Sequence, residues 1–108
     1  MSLTRPIPKA VREKLSADPF YKVCCIADEH CSEGKVEWHH NLTFAGKRVD
    51  DDFGILPACH LHHLRASVRD IHERFDYVML SRAFDAINAK YERGGWRQRW
   101  SYLKEKFN

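Results

Sequence analysis

All four cysteines and six of the seven histidines of this 108-residue chain lie between residues 24 and 63. This clustering restricts the fold more than any other feature of the sequence, because these side chains at short spacings bind metal ions. A metal ion bound by several of them would also fix which segments of the chain meet. Three local patterns carry the cluster: Cys24-Cys25-x5-Cys31, Glu37-Trp38-His39-His40 and Cys59-His60-Leu61-His62-His63.

The redox state of the cysteines follows from the expected compartment. No stretch approaches the roughly 20 apolar residues of a membrane span, and prolines and charged residues interrupt any secretory hydrophobic segment near the N-terminus. We therefore expect a cytoplasmic protein. Thiols are kept reduced there, so the sequence predicts metal ligands or buried thiols and not a disulfide framework.

The cysteine spacing predicts a structural zinc site. Cys59 and His62 are three residues apart, which lets two side chains of one helical turn converge on zinc, and a turn-like loop would supply two more cysteines. A closed site of this kind would stabilise a domain that buries little apolar surface. Spacing alone leaves Cys24 as an alternative to Cys25 and His30 as an alternative to Cys31. The predicted zinc ligands are Cys25, Cys31, Cys59 and His62.

The first half of the chain predicts a helix and a two-stranded ribbon. Val11 and Leu15 are four residues apart in Lys9–Ala17, which favours a short helix before Asp18-Pro19. Residues 35–42 and 53–57 have β-strand character, and the glycine- and aspartate-containing residues between them indicate a loop.

The second half predicts helices. Ser67-x-x-Asp70 has the form of a capping box that would begin a long helix, and Gly94-Gly95 would separate this helix, ending near Lys90, from a last one. The last helix carries an apolar stripe at helical spacing, formed by Trp96, Trp100, Leu103 and Phe107.

Together these elements predict one α+β domain over residues 1–108. Its core, at about residues 24–66, would be a small zinc-stapled ribbon and helix. An N-terminal helix and a C-terminal helical extension, at about residues 67–108, would flank this core.

The charge is unevenly distributed. Residues 1–23, 24–63 and 64–108 carry formal net charges of +3, −4 and +4. An acidic centre between two basic arms suits a divalent cation flanked by phosphate-contacting surfaces, such as those of proteins that bind nucleic acid. Scattered solvated charge is the simpler interpretation of the same pattern. The candidate DNA contacts are Lys47, Arg48, Arg97, Arg99 and Lys104.

The predicted zinc site uses one histidine and leaves several others without an assigned role. His39 and His40 are neighbours on a predicted strand, so their side chains point to opposite faces. His63 lies about 100° round the helix from His62 and can serve a second site. Histidines arranged in this way suit metal-assisted phosphodiester hydrolysis, in which a cation neutralises the phosphate and a neutral imidazole accepts a proton.

The combination of these segments resembles a known family. Val36-Glu37-Trp38-His39-His40, a glycine-containing loop, Asp52 and Ile55-Leu56-Pro57-Ala58-Cys59-x2-His62-His63 are similar to HNH endonucleases of the zinc-bound ββα-metal (His-Me finger) type. Within that family the chain most resembles phage and prophage proteins that include a RecA-dependent nuclease. The resemblance covers about residues 24–66.

The resemblance implies roles for individual residues. His40 would be the general base that activates water, while His39 and His63 would bind the catalytic cation. Many family members carry an asparagine at the position of Gly54, and some carry a further histidine at the position of Ser67. The third cation ligand is therefore open between Asp52 and His72.

The function implied by the resemblance is a metal-dependent DNA endonuclease or nickase, using Mg²⁺ or Mn²⁺ beside a structural Zn²⁺. It would act in a bacterial host or a phage-infected cell, and a recombinase filament is an implied partner. The alternative is a zinc-stapled DNA- or protein-binding module that has lost catalysis, because two frequent site residues are replaced.

Overall fold

The computed structural model describes residues 7–32 and 34–107. Its secondary structure confirms the α+β class and the predicted order of elements. The elements are α1 (Lys9–Ala17), β1 (Glu37–His40), β2 (Thr43–Phe44), β3 (Lys47–Arg48), β4 (Ile55–Ala58), α2 (His60–Leu64), α3 (Arg69–Lys90) and α4 (Trp96–Lys106). Within the described ranges, none of these helices has the length and apolar character needed to cross a membrane.

The N-terminal helix has the predicted bounds. α1 begins directly after Pro8 and ends before Asp18, whose side chain accepts a hydrogen bond of 2.9 Å from the backbone N–H of Phe20. That contact begins a short 3₁₀ turn over Pro19–Lys22. Leu15 is the buried residue of α1 and attaches this helix to the rest of the molecule.

The predicted ribbon is present and is formed by β1 and β4. The two strands pair antiparallel, with Glu37 opposite Ala58 and His40 opposite Ile55. β4 is buried along its whole length. Because side chains alternate along β1, Glu37 and His39 lie on one face of the ribbon and His40 lies on the other.

The segment between these strands is more ordered than the sequence predicts. Instead of a plain loop, β2 and β3 form a small antiparallel hairpin through Ala45 and Gly46. Both turn residues have positive φ values, 55° and 77°, as a two-residue hairpin turn requires. An alanine is unusual at such a position, which explains why the hairpin is not evident from the sequence.

The predicted capping box at Ser67 is wrong. α3 begins after Val68, which provides no side-chain cap. The backbone makes one further turn after α2, in which the N–H of Ala66 donates to the carbonyl of His63 and the N–H of Val68 donates to that of Arg65. This turn shifts the start of the helix one residue beyond the expected position, so the box spacing is lost.

α4 packs along α3 through both apolar and charged contacts. Gly95, with φ of 73°, provides the left-handed turn before α4, and Leu103 is completely buried. Glu73 on α3 is also buried, and its carboxylate accepts hydrogen bonds from the Tyr102 hydroxyl, at 2.6 Å, and from Lys106. These donors hold the pKa of Glu73 down at about 2, so the buried carboxylate is charged at neutral pH and paired with α4.

The packing of α4 gives a matched pair of predictions. Leu103→Ala removes a side chain with 0% exposure and should lower the free energy of unfolding by about 2–5 kcal/mol. The same change at Leu64, which is 68% exposed, should cost less than about 0.5 kcal/mol. Urea denaturation of the zinc-loaded proteins measures both values. Equal losses would show that α4 does not contribute to the core.

Candidate metal centre and adjoining histidine site

Three sulfur atoms surround one imidazole nitrogen at the junction of β4 and α2. The Nδ1 atom of His62 lies 3.1 Å from the Sγ atom of Cys59, 3.5 Å from that of Cys24 and 3.6 Å from that of Cys31. The four atoms all lie within 4.8 Å of one another. Such separations are those between the ligands of a tetrahedral ion with bonds of roughly 2.0–2.3 Å, and three thiols with one imidazole are a structural zinc set. This group could therefore hold a zinc ion.

The start of α2 positions two members of this cluster, Cys59 and His62. Cys59 is the N-cap of α2, and its sulfur accepts the backbone N–H of His62 at 3.4 Å. Although burial raises the pKa of the Cys59 thiol, hydrogen bonds from the His62 backbone and from Ser32 lower it to about 6. Donors aimed at this sulfur favour the thiolate, which is the form that binds metal.

Cys24, and not Cys25, belongs to the cluster. The sequence-based choice of Cys25 is therefore corrected in favour of the alternative, and Cys31, Cys59 and His62 are confirmed as the other members. The N–H of Cys25 donates to the carbonyl of Pro57 at 2.9 Å, which fixes this segment against β4. Burial raises the pKa of the Cys25 thiol to about 12, as expected for a packed, protonated side chain.

A second layer of charged residues orients His62. Its Nε2 atom lies 3.4 Å from the Oδ1 atom of Asp28, on the side of the ring opposite the sulfurs. Arg74 on α3 lies 3.0 Å from the other carboxylate oxygen of Asp28 and also donates to the carbonyl of Ile26. Together with the backbone N–H of His30, Arg74 holds the pKa of Asp28 below its usual range. A carboxylate behind a ligating histidine favours the tautomer whose other nitrogen is free for metal.

Exchanging serine for each of the two adjacent cysteines tests this assignment. Cys24→Ser should abolish tight zinc binding and lower the melting temperature, because the ligand set loses a sulfur. Cys25→Ser should retain about one zinc per chain, since its thiol is not in the cluster. Elemental analysis after dialysis against a chelator measures the zinc content. The reverse result would restore Cys25 as the ligand.

A different pair of histidines meets on the α2 side of the ribbon. The rings of His39 on β1 and His63 on α2 have centroids 5.1 Å apart and planes at 62°. His39 also packs on Phe75 of α3, with ring centroids 4.8 Å apart. Burial, and then the neighbouring His63, lower the pKa of His39 to about 4. A neutral imidazole with a free lone pair therefore prevails at pH 7, which is what cation binding needs.

Glu37 orients His63 through a contact with one of its ring nitrogens. Its Oε1 atom lies 2.7 Å from Nδ1 of His63, and its Oε2 atom lies 2.9 Å from Nδ1 of His60. These contacts lower the pKa of Glu37 below its usual range. Because a carboxylate only accepts hydrogen bonds, Nδ1 of His63 carries the proton and Nε2 is left for a cation.

Neither proposed third ligand completes a tight set with these histidines. Asp52 points towards α1, where its Oδ2 atom lies 3.0 Å from the Lys14 ammonium. His72 lies on α3, with Nε2 at 3.5 Å from the Oδ1 atom of Asp76. Across residues 7–32 and 34–107, the zinc cluster is the one place where three or more Cys, His, Asp or Glu ligand atoms lie within 4.8 Å of one another.

His40 lies on the opposite face of β1 and contacts an acidic residue. Its Nε2 atom lies 3.2 Å from the Oδ1 atom of Asp50, and its side chain is only 12% exposed. Donation from Nε2–H to this carboxylate leaves Nδ1 able to accept a proton. A carboxylate in contact with one ring nitrogen is the partner that orients the general base in Ser-His-Asp hydrolases.

Gly54 is required by close packing. A Cβ atom added there would lie 2.7 Å from Cβ of Leu42, which is completely buried. The carbonyl of Gly54 also accepts the backbone N–H groups of Asn41 and Leu42, at 2.9 and 3.1 Å. An asparagine at this position would therefore displace the segment that follows β1, so the family's asparagine has no room here.

The candidate DNA contacts divide into two groups. Arg99 is committed within the protein, since its guanidinium lies 2.8 Å from the Oδ2 atom of Asp76. The ammonium of Lys104 lies 5.5 Å from the Trp100 ring centroid, and its residue remains exposed. The exposed candidates are Lys47, Arg48, Arg97 and Lys104.

Several residues of these sites were missed by the sequence argument. Period-two alternation over the strand predicted at residues 35–42 places Glu37, His39 and Asn41 on one face, and this signal was present in the sequence. Asp28 and Asp50 lie in irregular segments, so no periodic pattern marks them. Their roles depend on contacts between distant parts of the chain.

Comparisons of the chain with protein-family models, with curated proteins and with solved structures find no match.

Proposed function

We propose that this protein is a metal-dependent endonuclease or nickase that hydrolyses DNA phosphodiester bonds. The proposal is carried by the meeting of His39 and His63, which reach one point from β1 and α2. Both side chains are held by neighbours, and the Cys3His cluster next to α2 fixes the helix that presents His63. Two imidazoles held in this way are suited to bind a divalent cation.

The residues of the site fit the requirements of a divalent cation for hydrolysis. His63 offers Nε2, because Glu37 accepts at Nδ1, and His39 is neutral at physiological pH. Mg²⁺ or Mn²⁺ bound there would neutralise charge on the phosphate and on the leaving oxygen. These cations usually keep several waters, so two protein ligands are a workable number.

His40 supplies the proton acceptor in this proposal. Its Nε2–H donates to Asp50, which fixes the ring and leaves Nδ1 free to take a proton from the attacking water. The negative charge of Asp50 stabilises the imidazolium that forms. Glu37 thus orients His63 on one side of β1, and Asp50 orients His40 on the other.

The substrate is inferred from charge. Lys47 and Arg48 lie exposed on the β2–β3 hairpin, directly after the histidine strand, and Arg97 and Lys104 lie exposed on α4. Exposed cations on these two elements suit a phosphate backbone, and binding through them would weaken with added salt. We therefore favour DNA over an uncharged substrate.

The competing function is a zinc-stapled DNA- or protein-binding module without catalysis. The observation that favours it is that, among residues 7–32 and 34–107, no third ligand forms a tight set with His39 and His63. Incubation with supercoiled plasmid and Mg²⁺ or Mn²⁺ distinguishes the two functions. Relaxed or linear products support the nuclease, while retained DNA binding without cleavage supports the module.

Alanine substitutions at His40 and His60 form a matched test of the general base. His40→Ala should lower the cleavage rate by about 10²- to 10⁴-fold, because the proton acceptor is lost. His60→Ala should leave the rate near wild type, since its ring is 60% exposed and lies against Oε2 of Glu37, not against the oxygen that contacts His63. Zinc content and melting temperature should stay unchanged in both variants. Wild-type cleavage by His40→Ala would contradict its role.

The cation ligands should behave differently from the base. His39→Ala and His63→Ala should weaken Mn²⁺ binding, so that a higher Mn²⁺ concentration partly restores cleavage. Titration calorimetry with Mn²⁺ on the zinc-loaded protein measures the affinity directly, without reference to activity. Unchanged Mn²⁺ affinity in both variants would place the cation elsewhere.

A further inference from the structure

Four polar side chains form a continuous path from α4 to the ribbon. The Arg99 guanidinium donates to Oδ2 of Asp76 at 2.9 Å from Nε. The amide Nδ2 of Asn41 donates to Oδ1 of the same carboxylate at 2.8 Å, and Oδ1 of Asn41 lies 3.2 Å from Nε2 of His39. We call Arg99, Asp76, Asn41 and His39 the polar chain.

The direction of every hydrogen bond in the polar chain follows from chemistry. Arginine can only donate and an ionised carboxylate can only accept, so Asp76 must receive the NH₂ group of Asn41. The amide oxygen of Asn41 then necessarily faces His39. Since that oxygen can only accept, Nε2 of His39 must carry the proton.

The carboxylate at the centre of the polar chain is buried, although Asn41, Asp76 and Arg99 also line an open pocket. Asp76 is 3% exposed, and the Asn41 amide also touches the sulfur of Met79, which is completely buried. His72 is the other group near Asp76, with Nε2 at 3.5 Å from Oδ1. Turning the Asn41 amide over would place its oxygen against the buried carboxylate, which is strongly unfavourable.

From this arrangement we propose that Asn41 is a positioning residue that fixes the Nε2–H tautomer of His39 and so presents Nδ1 to the catalytic cation. Arg99 on α4 pairs with the carboxylate of Asp76, and this carboxylate determines which end of the Asn41 amide faces His39. The purpose of this arrangement rests on the proposed nuclease function, in which His39 binds the cation. The tautomer itself is a property of the zinc-loaded protein without that cation.

The opposite tautomer of His39, with the proton on Nδ1, corresponds to a different arrangement that a measurement can distinguish. If Asn41 and His39 were instead neighbouring ligands of one cation, Nε2 of His39 would be the free nitrogen and Nδ1 would carry the proton. The two assignments therefore predict opposite tautomers. A packing role alone predicts no dependence of the tautomer on the hydrogen-bonding capacity of residue 41.

Long-range ¹H–¹⁵N NMR of the zinc-loaded protein, labelled with ¹⁵N in histidine, reads the tautomer of His39 directly. We expect Nε2–H in the wild type and a mixture of tautomers in Asn41→Leu. We expect recovery of Nε2–H in the double variant Asn41→Asp/Asp76→Asn, in which the carboxylate at position 41 accepts from both neighbours. The Nδ1–H tautomer in the wild type, or no change in Asn41→Leu, would overturn the proposal. Zinc content and circular dichroism verify that each variant is folded.

A second pair of variants tests the contribution of α4. Arg99→Gln should weaken Mn²⁺ affinity measurably, but by less than the roughly 10- to 100-fold cost of losing a direct outer partner of a ligand, because Asp76 and Asn41 lie between Arg99 and His39. The matched change Arg97→Gln, at an exposed position on the same helix, should leave that affinity unchanged. Equal Mn²⁺ affinities in the two variants would show that Arg99 does not help to position His39. If the wild type shows Nε2–H but binds no Mn²⁺, the nuclease proposal fails while the tautomer assignment stands.

Discussion

The Cys3His cluster joins parts of the chain that are far apart in sequence. Cys24 and Cys31 come from an irregular segment, whereas Cys59 and His62 come from the β4–α2 junction. The strands between them are short, and two-stranded ribbons are marginal without further support. Free energy of metal binding at this cluster would therefore contribute directly to folding. The position of α2, and with it that of His63, depends on this junction.

The Cys3His cluster and the His39–His63 pair each include one histidine of α2, but different residues orient the two histidines. His62 faces buried sulfurs and is oriented by Asp28, whereas His63 faces His39 and is oriented by Glu37. Consecutive residues on a helix point about 100° apart, so one turn can serve a closed site and an open one. The closed site suits structural zinc. In the open site, Asn41 contacts one ring nitrogen of His39 and Glu37 contacts one ring nitrogen of His63, which leaves the other nitrogen of each ring for the cation of the proposed function.

Sequence analysis predicted the parts of the fold that depend on local pattern. Helical periodicity gave the bounds of α1, and strand character with the intervening loop gave the β1–β4 ribbon. It did not give the hairpin through Ala45, because that residue adopts a conformation its type rarely takes. It also misplaced the start of α3, since the additional turn before Val68 depends on backbone hydrogen bonds and not on a capping side chain.

The choice between Cys24 and Cys25 shows why spacing could not identify the complete site. Adjacent residues have nearly equal reach, and the outcome depends on which side of the segment faces β4. The hydrogen bond from the Cys25 N–H to Pro57 settles that orientation, and it joins residues 32 apart in the sequence. The same holds for the polar chain, because Asn41, Asp76 and Arg99 belong to different elements. The sequence placed Arg99 among the candidate DNA contacts, whereas the structure pairs it with Asp76. The buried carboxylate of Asp76 requires a cation beside it, and this electrostatic requirement is what connects α4 to the histidine strand.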